Sequence, residues 1–345
     1  AQNTIYGASL NYLDDQGIIK TSTLNRWTVR MNIEQKAFND KVTFGLNLTN
    51  SVTNKNFVRP EVFANMLKYL PTVSVYKADG TFFENTQNSN YYNPVGLLNN
   101  DTQNQKVINQ LANVTLKVNL LPSLTYNANV SLQNTELQYN QYSKQASTMH
   151  LGANGYAVRS EYANKTTLVE NYLTFDKTFA KHNVKILAGY SWQEDRLNDG
   201  FQAANSNFIT DDLLYNNLSL GSSPEKVNNA DRFGTATIQT LRIVSFYSRL
   251  NYQFNNKYLL QATVRRDGSS AFGTNNRWGI FPSASIGWKI INEPFMAGIK
   301  KISDLKLRIG YGISGNSLGF DPMISKLKYG VTGVTYINGV QLQAV

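Results

Sequence analysis

Apolar residues recur at every second position along much of this chain. Val42, Phe44, Leu46 and Leu48 alternate with Thr43, Gly45, Asn47 and Thr49. Val114, Leu116, Val118 and Leu120 alternate with Asn113, Thr115, Lys117 and Asn119. Leu124, Tyr126, Ala128, Val130 and Leu132 alternate with Thr125, Asn127, Asn129, Ser131 and Gln133. A period of two gives a strand one apolar and one polar face, because successive side chains leave a pleated strand in opposite directions. The same split over residues 184–192, 244–254, 258–264 and 305–313 brings the expected total to about eleven strands. No apolar run approaches the ~20 residues of a spanning helix. Any passage through a membrane must therefore use strands, each needing only about 9–11 residues.

The connections between these stretches alternate in length. Short ones are expected at Phe38-Asn39-Asp40, at Leu121-Pro122-Ser123, over residues 176–182 and at Phe254-Asn255-Asn256. Long ones lie between them, at residues 54–107, 140–164, 197–239 and 267–277. The return over residues 291–304 is the one longer connection on the short-turn side. A sandwich with Greek-key crossovers has no reason to sort long loops onto every second connection. An up-and-down barrel with short periplasmic turns and long outer loops does so. Phe38, Phe175, Phe179, Phe254, Tyr258, Trp288 and Phe295 gather beside the short turns, as rings at a membrane–water boundary would. The expected fold is all-β: an antiparallel up-and-down transmembrane β-barrel. Aromatics capping a soluble sheet are the competing reading.

Charged residues make up 16% of the 345, below the roughly 25% usual for soluble domains, while aromatics reach 12%. Without Cys there is no disulfide scaffold, thiolate metal site or Cys nucleophile. The formal charge of +10 is dispersed, with Lys and Arg running no further than pairs such as Lys300-Lys301 and Arg265-Arg266. Dispersed cations make no focused stripe for nucleic acid, so no nucleic-acid partner is expected. In the first long loop, Pro60-Glu61 opens a helical stretch with Val62, Phe63, Met66, Leu67 and Leu70, which Pro71 stops. Asp79-Gly80 then predicts a hairpin between residues 73–76 and 81–83.

One run carries more detail. Arg266-Asp267-Gly268-Ser269-Ser270 is followed by Phe272-Gly273, Arg277-Trp278-Gly279, Phe281-Pro282-Ser283 and Gly287-Trp288. It reads as a strand end, a tight outer turn at Asp267-Gly268 and a returning strand, with a bulge expected at Pro282 because proline donates no ladder hydrogen bond. A third strand follows Glu293, Phe295-Met296 and Ser303-Asp304, from Leu305 to Gly312. This run resembles the barrel of SusC/RagA-like TonB-dependent outer-membrane transporters, most closely over residues 258–316. Residues 3–44 and 177–190, and the Asp-Gly hairpin with Asn93-Pro94, resemble the same family more loosely.

The resemblance implies an outer-membrane protein of a Bacteroidota-type bacterium that imports a nutrient, an oligosaccharide or a peptide. It implies a SusD-like surface lipoprotein as a lid over the outer loops, and energy from a TonB–ExbB–ExbD complex acting on a plug. Outer-membrane lipid and lipopolysaccharide would surround it. Residues 1–345 are expected to form part of one barrel domain, about eleven of roughly 22 strands. The plug and the TonB-binding segment are expected to lie in sequence beyond this stretch, since an open half-barrel would leave strand edges unsatisfied in lipid. A passive porin and a secreted β-sheet adhesin or glycan-binding protein are the alternative functions.

Candidate functional residues fall in two groups. Phe82, Phe83, Tyr91, Tyr92 and Tyr215 sit in the long loops 54–107 and 197–239, where rings could contact substrate or lid. Lys117, Lys185, Arg249, Arg265, Lys306 and Arg308 lie on polar strand faces and are expected to face the lumen. At the lipid midplane each would cost about 2–4 kcal/mol. No enzyme activity is expected, because no nucleophile has an assignable base. Gly310-Tyr311-Gly312-Ile313-Ser314-Gly315 matches a dinucleotide-binding spacing, but no helix can follow it. Small residues on a crowded lumen face are the expected reading. His150 and His182 lack a spaced partner ligand and are expected to be solvated. Asp14-Asp15 and Asp211-Asp212 could help hold calcium in an outer loop but lack the loop spacing, so no metal or other cofactor is expected.

Overall fold

The structure, a computed structural model, describes residues 3–84, 91–222, 233–235, 238–299, 301–316, 320–326, 333–337 and 340–344. Parts of the long segments 54–107 and 197–239, together with Lys300 and residues 317–319, lie outside the described residues. The strands are β1 (Thr4–Gln16), β2 (Thr23–Ala37), β3 (Val42–Phe57), β4 (Asp101–Leu121), β5 (Leu124–Ser143), β6 (Tyr156–Phe179) and β7 (His182–Ser206). They continue with β8 (Phe233–Thr235), β9 (Gln239–Phe254), β10 (Tyr258–Ser269), β11 (Trp278–Lys289) and β12 (Lys306–Gly312). Eleven of these form one hydrogen-bonded path in chain order, from β1 to β7 and then β9 to β12, while the short β8 pairs with β7. A separate hairpin joins β13 (Gly333–Ile337) to β14 (Val340–Ala344).

The chain clusters into two compact units. Unit 1 comprises residues 1–119, 127–169 and 195–239, and unit 2 residues 120–126, 170–194 and 240–345. In unit 1, antiparallel registers place Tyr12, Trp27, Val52 and Ile108 in one row, and Ala8, Met31, Leu48 and Ala112 in another on the same face. Asn11, Thr28, Ser51 and Asn109 form a row on the opposite face. In unit 2, Leu250, Ala262, Ala284 and Tyr311 share one face, and Arg249, Thr263, Ser283 and Gly312 the other. Each alternating stretch thus adds to one continuous apolar face within its unit.

The short turns fall where expected and are tighter than the sequence suggests. Two residues separate β4 from β5 and two separate β6 from β7, while Asn255 and Asn256 turn between β9 and β10 with positive φ angles of 51° and 55°. Asn tolerates that left-handed region better than most residues. On the other side the strands run well past the alternating stretches. β6 and β7 reach 24 and 25 residues, which confines the β5–β6 link to residues 144–155 rather than 140–164. The β1–β2 link over residues 17–22 is short although it lies on the long-loop side.

Two sequence expectations are corrected. Asp267-Gly268 is not a turn: both residues lie inside β10, opposite Gly279 and Trp278, and the chain reverses only over residues 270–277. Gly268 is demanded by packing, since a Cβ there would lie 2.9 Å from the Trp278 ring. Pro282 makes no bulge either. The β10–β11 register runs unbroken through Val264–Pro282, while the β11–β12 pairing ends one residue away at Ser283–Gly312. The Pro282 carbonyl accepts from Ile313 N at 2.9 Å, so the missing N–H points to the same side, where the ladder stops.

In the first long loop, α1 (Pro60–Lys68) forms as expected and α2 (Pro94–Asn100) is an addition. Asn93 caps α2 by accepting from Val95 N and Gly96 N, and both helices begin with proline, whose missing N–H costs nothing there. The Asp79-Gly80 hairpin is present, with a Tyr76–Phe82 bridge and Gly80 at φ 84°.

Candidate functional site

The apolar face of unit 2 is bounded by two rows of rings. At the short-turn end, Phe179 stacks on His182 (5.4 Å between centroids), His182 meets Phe254 (4.9 Å), and Tyr258 lies opposite Trp288 in the ladder. Glu293 ties this row together, accepting from Lys257 Nζ (2.8 Å), the Tyr258 hydroxyl (3.0 Å) and Trp288 Nε1 (3.0 Å). The hydrogen bond from Lys257, then that from Trp288, holds its carboxyl below the usual range. At the other end, Tyr190 packs on Phe246 (5.3 Å) and Phe246 on Trp278 (6.2 Å), with the Arg266 guanidinium 4.7 Å from the Trp278 ring centroid. Arg266 is on the apolar face but at its rim, where a cation over an aromatic ring is favourable.

The spacing of the two rows is informative. Residues 258 to 268 of β10 span the distance from the Tyr258–Trp288 pair to the Gly268–Trp278 pair. Those ten steps measure about 33 Å along a strand. At the usual tilt of about 40°, that is about 25 Å of height, the height of the apolar band on outer-membrane barrels. Between the rows, Ile286 and Ile309 keep 59% and 63% of their surface exposed, beside Leu260, Val264 and Ile280. A contiguous apolar face of this size marks a membrane or partner surface.

The six candidate cations occupy the opposite, polar faces. Lys117 lies opposite Thr43, on the face of Gly45, Asn47 and Thr49. Tyr190 contacts Phe246 on the apolar face, so Lys185, an odd number of residues away in β7, is on the polar one. Lys185 pairs with Asp176 at 3.4 Å. Arg265 pairs with Asp267 at 2.7 Å and donates to Ser245 Oγ at 2.9 Å. Arg249 and Arg308 reach the hydroxyls of Thr263 (3.4 Å) and Ser285 (3.2 Å). Lys306 lies opposite Lys289. A hollow of about 160 Å³ is lined in part by Asn251, Gln261, Ser285, Lys306 and Arg308, with Leu259 and Leu260 beside them. Gly310 and Gly312 face Ser285 and Ser283 from within β12, a strand and not a phosphate-binding loop.

The aromatic loop candidates divide. Tyr91 stacks on Tyr69 (5.4 Å) and accepts from Leu70 N; Tyr92 donates its N–H to Asn65 Oδ1; Phe82 packs on Tyr76 (5.5 Å). These four partnerships build the first long loop itself, leaving Phe83 the more exposed ring. Tyr215 belongs to a separate cluster with Tyr142, Ala157 and Phe208, and accepts from Asn104 Nδ2. The sequence reading did not single out the exposed side of α1. Val62 is buried, 1% exposed, while Phe63, Met66, Leu67 and Leu70 point outward, Leu67 at 91%. Their signal was available as apolar residues in excess of what a one-sided helix buries.

A buried polar hub fixes these loops in unit 1. Arg59 lies 3.5 Å from Asp101, with side chains 9% and 1% exposed. Asp101 also accepts from Ser143 Oγ (2.5 Å) and Ser147 Oγ (2.8 Å). Arg59 is also the N-cap residue of α1 but makes no capping bond, because a guanidinium has no acceptor to offer the helix N–H groups. Burial raises the Asp101 carboxyl against the opposing pull of Ser143 and Arg59, and burial also raises Glu84. His150, expected to be solvated, is instead stacked on Tyr156 (4.0 Å), and its pKa is lowered to about 4 by burial and by Arg59.

A pH dependence follows. The unfolded loop binds a proton near pH 6.5, the folded one near 4, so His150 stabilises the closed loop above pH 6.5 and loses that contribution as pH falls toward 4. The raised Asp101 and Glu84 carboxyls act oppositely, favouring the closed loop as they take up protons at the acid end. Corrected for the intrinsic exchange rate at each pH, amide protection over residues 144–155 is therefore expected to fall from pH 7 to 5.5, and His150→Phe is expected to flatten that slope. An unchanged slope in the variant would assign the effect elsewhere.

Comparison with known proteins matches this geometry. Residues 43–343 match the family described as TonB dependent receptor-like, beta-barrel. SusC of Bacteroides thetaiotaomicron is 31% identical over 91% of this chain, and TonB-dependent receptor P3 of Formosa agariphila is 29% identical over 99%. The RagAB peptide importer in its closed-closed state superposes with a TM-score of 0.76 at 20% identity, over 100% of this chain and 38% of the other. The chain spans about a third of the length of the curated relatives, 32% of SusC and 35% of P3. With its antiparallel strand path, its two-faced strands and a family match over most of its length, the chain belongs to the TonB-dependent receptor-like β-barrel family.

Proposed function

We propose that this chain is part of the barrel of an outer-membrane importer that takes up an oligosaccharide or a peptide using energy delivered through TonB. The observation that carries the reading is the apolar face of unit 2, about 25 Å high between its two rows of rings. Its polar counterpart, with Arg249, Arg265, Lys306 and Arg308, then faces the lumen, and the polar faces bearing Lys117 and Lys185 do likewise. The part of the passage that this chain lines is then hydrophilic and carries these six cations, with Lys185 and Arg265 paired to Asp176 and Asp267. Similarity to the RagAB peptide importer favours this class of cargo.

In this reading the long loops face outward and carry a surface lipoprotein lid. The exposed apolar side of α1, with Phe83, Tyr91 and Tyr92 in the same loop, supplies contact area for the lid or the cargo. Leu67→Glu is expected to reduce co-purification of the lid with the full-length protein while barrel folding is preserved. Undiminished co-purification would remove α1 from the contact. Active import itself is tested by cargo uptake in cells. Dissipating the proton gradient or deleting TonB should abolish it, whereas continued uptake would favour a passive porin.

A further inference from the structure

We propose that Lys289, Lys306 and Arg308, on the polar face of unit 2, form a socket for a carboxylate side chain of the plug, a segment beyond residues 1–345. The inference rests on the reading that this face lines the lumen of a barrel. Lys306 lies directly opposite Lys289 in the β11–β12 ladder, and Arg308, two residues along β12, lies opposite Gly287. Like charges facing each other across a ladder are destabilising. Among the described residues, no carboxylate lies within ion-pair distance of these three cations. Lys289 Nζ donates to the neutral Asn256 Oδ1 (3.2 Å), and Arg308 to Ser285 Oγ (3.2 Å). Lys185 and Arg265 on the same face, and Lys257 beside Lys289, each have an acid. Since β11 is flanked on both sides by described strands, an acid for Lys289 has to arrive from above the sheet.

The space above the sheet suits one acidic side chain. Lys306 and Arg308 border the hollow of about 160 Å³, together with Leu259, Gln261 and Ser285. Small-molecule sites measure about 300–1,000 Å³, so this one is too small for a cargo oligomer. Gly287 keeps the floor low, since a Cβ there would lie 3.2 Å from Leu259 Cδ1 and 3.5 Å from Lys306 Cε. Leu259 offers apolar contact to the methylenes of an acidic side chain. The Arg308 fork can take its carboxylate through two parallel hydrogen bonds, and Lys306 adds a point charge. Arg308 and Ser285 also border a second hollow of about 260 Å³, beside Ser283, Gly310 and Gly312. Side chains this small let the main chain that carries the acid lie close to the strands.

A segment of the same protein is the occupant that fits. The chain spans 32% of SusC and 35% of P3, and a barrel of about 22 strands has a lumen wide enough to be plugged. The Lys289–Lys306 pair adjoins the Tyr258–Trp288 row at the short-turn end, the periplasmic side of such barrels. Cargo entering from outside meets that end last, whereas a plug pulled from the periplasm needs a hold there. The socket is an ionic catch that keeps the plug seated at rest.

The test uses the full-length protein in native outer membranes, with Gln261→p-benzoylphenylalanine as a photo-crosslinker and no cargo present. Illumination should join residue 261 to a peptide outside residues 1–345 that carries an Asp or Glu. Lys306→Glu combined with Arg308→Glu should lower that yield about tenfold or more, the factor carried by one hydrogen bond to a charged group. Exchanging the identified acid for Lys should restore it, and heat-modifiable migration checks that each variant barrel is folded. An unchanged yield in the double variant, or adducts only with barrel strands, would overturn the socket. Ile286→p-benzoylphenylalanine, on the apolar face, separates the two levels of inference. Lipid adducts from residue 286 without a plug adduct from residue 261 reject the socket alone, whereas lipid adducts from residue 261 reject the lumen assignment beneath it.

Discussion

Leu48→Arg is expected to destabilise the membrane-inserted barrel by about 2–4 kcal/mol, and Asn47→Arg by less than about 1 kcal/mol. The two positions are adjacent in β3. Leu48 lies in the row of Ala8, Met31 and Ala112 on the apolar face of unit 1, and Asn47 lies opposite Asn32 and Asn113 on the polar face. A guanidinium from Leu48 would have to reach the interface across hydrocarbon, whereas one from Asn47 meets a polar environment. Denaturant unfolding of the full-length protein in vesicles measures both. Equal costs would mean that the two faces do not see different solvents.

Asp101→Ala is expected to cost about 3–5 kcal/mol, spent on the outer loops of unit 1. The substitution leaves the Arg59 guanidinium, at 9% side-chain exposure, without its carboxylate though still donating to Ser143 Oγ, and takes from Ser143 and Ser147 the acceptor of their hydroxyl protons. Removing one partner of a buried ion pair is costlier than the pair is worth, because the remaining charge stays desolvated. Hydrogen exchange should show the segments 58–68 and 144–155 opening together, with the β1–β3 ladder unaffected. Unchanged protection at both segments would show that Asp101 is incidental to the loops.

What could be read from the residues, and what could not, follows from which solvent each face meets. The strands were legible between the two rings of aromatics, where one face must be apolar and the period of two shows. Beyond that band both faces are polar. Residues 101–106 and 140–143, largely Asn, Gln, Ser, Thr and Tyr, carry no alternation, so the sequence reads the outward ends of β4 and β5 as loop. Asp267-Gly268 carries a strong hairpin signal. Here the glycine instead clears space for the Trp278 ring and the aspartate pairs with Arg265, constraints set by neighbouring positions that no local pattern reports. The cations of the polar faces were legible from parity alone. The Arg59–Asp101 hub and the burial of His150 depend on contacts between segments distant in sequence. The candidate rings Tyr91 and Tyr215 were identified as aromatic loop residues, but ring type alone does not tell a contact surface from the packing of the loop itself.

The most direct test of the membrane reading is spin-label accessibility along β9, one residue at a time from 244 to 252, in the full-length protein reconstituted in vesicles. Labels at Val244, Phe246, Ser248, Leu250 and Tyr252 should relax with dissolved oxygen. Those at Ser245, Tyr247, Arg249 and Asn251 should respond to a water-soluble relaxant or be shielded from both. A one-residue offset inverts every position. Oxygen access at Arg249 with aqueous access at Leu250, or no alternation at all, would contradict the membrane-facing assignment on which the proposed function stands.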